Sequence, residues 1–152
     1  MDLFVSVQKA DEEGNFMPIL YLGQPHPGAL GILRASHREL DESRSTPSEP
    51  VHTHQREQLL TEGEVVPVEI GIWPSSRTWR AGERLRVIVA GHREPRWALP
   101  FAWETRNNGE HVIHTGGRYD SHLLVPVIPT RPSAAKVGPT SEFGVLFARS
   151  SD

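Results

Sequence analysis

Cysteine is absent from all 152 positions. That removes disulfide frameworks, thiol nucleophiles and cysteine-based zinc sites together, and it fits a reducing compartment. No apolar run approaches the ~18 residues that a membrane-spanning helix needs. The N-terminus, Met1-Asp2-Leu3-Phe4-Val5-Ser6-Val7, lacks the basic leader and apolar core of a secretion signal. A cytoplasmic setting is therefore favoured, and no membrane partner is expected. An excess of positive charge is also missing: 16 Lys and Arg against 19 Asp and Glu give a net charge of −3. With no basic field, nucleic acid is not an expected partner. Neither an internal repeat nor a convincing amphipathic helix can be found.

What the chain does have is turn chemistry between short apolar segments. Gly and Pro number 13 each, together about 17% of residues against a background near 12%. Leu3, Val5 and Val7 alternate with Phe4, Ser6 and Gln8, a period of two that predicts a strand with one strongly apolar face. Phe16 to Leu22 is a second apolar run, interrupted by Pro18, and Gly23 to Gly28 reads as a loop. Ala29 to Ser36 is expected to be a third strand, in which Gly31 allows a bulge or a close backbone approach. The alternative, a helix from Leu30 to Leu40, is weakened by that same glycine. His37 to Pro50 is a long polar surface loop, and His52 to Leu59 continues as a polar strand or short helical turn. Val66, Val68, Ile70 and Ile72 mark the clearest strand, closed by Trp73-Pro74. Leu85, Val87 and Val89 mark another. His111 to His114 and His122 to Ile128 then read as two strands joined at a Gly116-Gly117 corner. Ser133 to Asp152 is a composition shift, read as a loose tail or one late strand. Short alternating segments bounded by Gly and Pro indicate an all-β sandwich.

Several constellations invite a chemical reading. Asp120-Ser121-His122 holds the three residue types of a serine-hydrolase triad, but strand neighbours point to opposite faces and no Gly-x-Ser-x-Gly elbow exists in the chain. A local turn is the expected use of these residues. His111 and His114, three apart on a strand, lie on opposite faces and make poor joint ligands. His52 and His54 would share a face, and a metal site there would need a third ligand such as His92 or Glu57. Trp73, Trp79, Trp97 and Trp103 are binding candidates, because their ring faces could form a stacking platform for sugars. Core lids or interface residues are the ordinary use of such tryptophans. Among the arginines Arg34, Arg38, Arg84 and Arg86, the last two share the face opposite the apolar stripe, where they are expected to be solvated or paired across to a neighbouring strand. No catalytic residue, metal site or cofactor is assigned.

Four segments, in order, carry a family resemblance: Met1-Asp2-Leu3-Phe4-Val5; Gly31 to Arg38; Val66 to Pro74 with Gly82-Glu83-Arg84-Leu85-Arg86; and Asn108 to Ser121. Each is weak alone, but together they resemble the C-terminal domain of the Xaa-Pro dipeptidyl-peptidase and cocaine-esterase-type serine hydrolases. The resemblance runs from Met1 to about Pro129, leaving 130–152 as a tail or one extra strand. It implies a jelly-roll-type β-sandwich of the galactose-binding-like kind, incomplete at its N-terminal end because strands that precede Met1 in the family are lacking. It further implies a non-catalytic domain, a fragment that helps shape the substrate cleft or oligomer interface of a separate α/β-hydrolase domain carrying the triad. The expected partner is that hydrolase domain, or a second copy meeting it through exposed sheet edges. The alternative is a stand-alone binding module for carbohydrate or a protein partner.

Overall fold

A computed structural model of the chain describes residues 1–93 and 105–128, together with the backbone of 146–151. Its longest element is β1 (Asp2–Ala10), which lies between β4 (Ala29–Arg34) and β6 (Arg84–Ala90) in an antiparallel sheet. The register sets Leu3 opposite Leu33, and Val5 between Gly31 and Val89, so the alternation read from the sequence becomes one apolar face. A second three-stranded antiparallel sheet has the order β5 (Val65–Val68), β8 (Leu146–Ser151), β7 (Glu110–His114). Leu3, Leu33, Ala35, Val66 and Val68 form the core between the two sheets, with Val89 and Ile113 packed against it. This is the expected all-β architecture. Each of these larger side chains contributes roughly 1.5–3 kcal/mol by leaving water.

The other face of β1 is buried as well, because a central strand has neighbours on both sides. Phe4 lies between Ile32 and Ala90, and Ser6 between Leu30 and Ile88. Polar pairs flank this row. At one end Arg34 donates two hydrogen bonds to the Asp2 carboxylate, at 2.6 and 3.1 Å. At the other, Arg86 donates to Gln8 Oε1 at 2.8 Å, the paired one of the two arrangements open to it, while Arg84 is exposed.

Gly31 serves the close approach anticipated for it. The segment after β5 crosses β4 there, and a Cβ on Gly31 would sit 2.7 Å from the Gly71 carbonyl oxygen and 2.9 Å from Ile70 Cγ2. The Trp73 amide donates to the Leu30 carbonyl at 2.8 Å and fixes this crossing. Replacing Gly31 by alanine should therefore cost about 1–3 kcal/mol through overpacking, although alanine normally suits a strand better than glycine. Urea denaturation checks this; an unchanged midpoint would show that the crossing has slack.

Several expected strands come out differently. Phe16 only bridges to Ala10; the rest of that run becomes a hairpin of β2 (Ile19–Tyr21) and β3 (Gln24–His26), so the expected loop at 23–28 is partly strand. Its turn residues Leu22 and Gly23 both have positive φ, 49° and 75°, the signature of a tight hairpin turn whose twist matches its strands. Ladder pairing in β5 stops at Val68, because the chain then leaves the sheet to cross over Gly31. Residues 35–37 leave β4 as a single 3₁₀ turn. His122 to Ile128 forms no strand, although β7 ends its sheet with β8 on one side only: Pro126 offers no amide proton to a ladder, and Val127 and Ile128 are 72% and 88% exposed.

Candidate functional site

The corner after β7 is built as a turn. Gly116 and Gly117 both take positive φ, and the Tyr119 amide donates to the Gly116 carbonyl at 3.0 Å. The Ser121 hydroxyl donates to the His114 carbonyl at 2.6 Å, and His122 Nδ1 lies 2.6 Å from the Asp120 carbonyl oxygen. Both contacts are local, and neither sets Ser121 against His122 as a nucleophile requires. The rings of His114 and Tyr119 pack with centroids 4.5 Å apart, tying the corner to the end of β7. His111 and His114 stand three apart on that strand.

The tryptophans do not gather into a platform within the described residues. The Trp73 indole is 71% exposed. Trp79 is half-buried, and its Nε1 donates to the Arg84 carbonyl at 3.3 Å, closing the turn before β6. Trp97 and Trp103 lie outside the described residues. Of the remaining arginines, Arg38 donates to the carbonyls of Ala35 (3.1 Å) and Gln58 (2.7 Å), a structural clasp between the 3₁₀ turn and the end of the long loop.

The histidines of the long loop are arranged differently from the sequence expectation. His54 has φ 51°, so 52–54 is not extended and the same-face argument does not apply. The two rings nevertheless pack with centroids 5.9 Å apart, and His37, which the sequence reading passed over, joins them at 5.6 Å from His54. Of the two candidate third ligands, Glu57 lies 3.8 Å from His37, while His92 lines a separate shallow hollow with Phe4 and Ile32. Among the described residues no group of three or more His, Asp or Glu is arranged to hold a metal. Burial, and then the nearby His54, hold the His52 imidazole below the usual histidine range, partly offset by a hydrogen bond to the Glu69 backbone.

The most conspicuous surface feature is apolar. At the tip of the β2–β3 hairpin Leu20, Tyr21 and Leu22 are 73%, 65% and 86% exposed, with Ile19 and Phe16 partly exposed behind them. Leucine is a costly choice at positive φ, where glycine or asparagine would sit without strain. No periodicity in the sequence signalled this ridge, since Leu22 read as the end of an ordinary apolar strand.

Against known proteins the chain gives a consistent answer. Residues 1–124 match the family described as the X-Pro dipeptidyl-peptidase C-terminal non-catalytic domain. Two crystal structures of a CocE/NonD family hydrolase from Staphylococcus aureus are each similar at 40% identity and a TM-score of 0.58. They align with 60% and 61% of this chain, which spans 17% of theirs. No curated protein matches. With the family matched from Met1 through Leu124, this chain belongs to the non-catalytic C-terminal domain family of the X-Pro dipeptidyl-peptidases.

Proposed function

We propose that this chain works as the accessory domain of a serine hydrolase, packing against a separate α/β-hydrolase domain and shaping its substrate cleft or subunit contacts. The parent activity would be removal of an N-terminal Xaa-Pro dipeptide, or cleavage of a related acyl ester or amide. The observation that carries this reading is the hairpin ridge at Leu20, Tyr21 and Leu22: three large apolar side chains held out from the sheets, one of them on strained backbone. A two-stranded hairpin is marginal alone, and exposed apolar clusters mark interaction surfaces. The 17% coverage supports it too, since the aligned hydrolase has most of its chain outside this region.

Two assays test the reading. With Gly-Pro-p-nitroanilide the chain alone should give no turnover above background, and measurable turnover would overturn the non-catalytic assignment. Joined to a CocE/NonD hydrolase stripped of its own C-terminal domain, the chain should restore ester hydrolysis, and a Leu20→Ser, Leu22→Asn variant should lose most of that gain. Equal rescue by both would remove the ridge from the interface.

The exposed Trp73 indole favours a second reading, a binding module for carbohydrate or a protein partner. A glycan screen in which binding disappears with Trp73→Ala would replace the accessory reading.

A further inference from the structure

We propose that the loop spanning residues 37–58 is an acid-sensitive element, closed at neutral pH by the packed rings of His37, His52 and His54 and loosened when His52 takes up a proton. The loop is a lobe with a defined neck. Leu40 bridges to His52, the Asp41 amide donates to the Val51 carbonyl at 2.8 Å, and the Thr53 amide donates to the Glu39 carbonyl at 3.0 Å. Its end is tied back to the core, where the Gln58 amide donates to the Ser36 carbonyl at 2.7 Å. The three rings sit at that neck, with centroid separations of 5.6 and 5.9 Å. His37 Nδ1 and His52 Nε2 are both buried without a hydrogen-bond partner.

The surrounding charges decide what protonation does. Glu57 faces His37 at 3.8 Å, with its side chain half-exposed, where an ion pair is worth little. Glu39 is occupied by Arg56 and the Thr53 hydroxyl, and Arg34 and Arg38 add positive charge on the core side. Glu64 lies at 4.0 Å from Arg38. Glu69 contributes its backbone to His52. Among the described residues no carboxylate forms an ion pair with His52 or His54, and cations within ~6 Å of each other repel in a partly buried site.

The sign follows from linkage. The folded neck holds the His52 imidazole below its unfolded value, so the opened loop binds the proton more readily. The closed state is fully favoured above about pH 6.5 and weakens as the pH falls below that, until the folded value is reached. Arg56 and Thr53 hold the Glu39 carboxyl below the usual range, so it stays ionised through this window and does not mimic the effect.

Amide hydrogen exchange on the whole chain, corrected for the intrinsic pH dependence of exchange, provides the test at Asp41, Thr53 and Gln58. Each proton taken up on opening multiplies the opening constant by about ten per pH unit. An increase of about fivefold or more between pH 7.5 and 5.5 is expected, with the β1 amides unchanged. The His52→Gln, His54→Asn variant should respond less than about twofold; asparagine tolerates the backbone at position 54. A flat wild-type profile, or an equal response in the variant, overturns the proposal. If the double variant does not fold, titration of the His52 ring in the wild type decides: a midpoint at or above that of an unstructured histidine peptide overturns it, and a lower one supports it.

Discussion

Asn107→Ala should lower the melting temperature of the chain by about 5–15 °C, a large effect for a half-buried polar side chain. Asn107 Oδ1 accepts a hydrogen bond from the Asp2 amide at 2.6 Å. Its Nδ2 donates to the Asp2 carbonyl at 2.8 Å and to the Gly91 carbonyl at 2.7 Å. One side-chain amide thus satisfies three backbone groups and joins the start of β1, the exit of β6 and the approach to β7. Alanine would leave all three unpaired in a partly buried place. At about 1–3 kcal/mol for each buried group left without a partner, discounted because water can reach some of them, the loss should be about 2–4 kcal/mol. For a chain of this size 1 kcal/mol moves the midpoint by about 2–4 °C. Asn107→Asp should fare no better, because a carboxylate would face two carbonyl oxygens. A scanning-calorimetry shift below about 2 °C would show that the three bonds are replaceable by solvent.

Leu3→Ala should cost about 2–5 kcal/mol, the range for truncating a leucine in a packed core. Leu3 is 1% exposed and belongs to the buried cluster with Leu33, Ala35, Val66 and Val68, so the methyls removed leave a cavity between the two sheets. The control is Leu20→Ala, the same chemical change at an exposed hairpin position, expected to lie within about 0.5 kcal/mol of wild type. Chemical denaturation of the two variants side by side separates core from ridge. Equal losses would mean that Leu20 is packed in solution, and the ridge would no longer be available to a partner.

Local rules made part of this fold legible in advance. Alternation at Leu3, Val5 and Val7 gave β1, and alternation at Leu85, Val87 and Val89 gave β6, because a period of two needs no knowledge of the partner strand. Gly31 announced a close approach by lacking a side chain, whereas the strand-neighbour argument applied to Asp120-Ser121-His122 has no hold there, because these residues lie outside any strand. What escaped depended on distant parts of the chain. His122 to Ile128 has the composition of a strand, yet it joins neither sheet and leaves Val127 and Ile128 exposed. His37 lies fifteen positions before His52, and only the fold of the loop brings it to His54. The ridge residue Leu22 depends on a backbone angle that leucine composition argues against.

The central position of β1 also bears on how the chain is made. Its nearer neighbour, β4, follows within about thirty residues, but β6 pairs with it from Ala10 opposite Arg84 to Phe4 opposite Ala90. During translation, at about 5–20 residues per second, β1 therefore waits several seconds for β6 with one edge uncovered. Pairings this distant in sequence are slow to close and vulnerable to sticking meanwhile. Nascent chains halted before residue 84 should consequently be the species that chaperones hold longest, with release following the emergence of β6 from the ribosome.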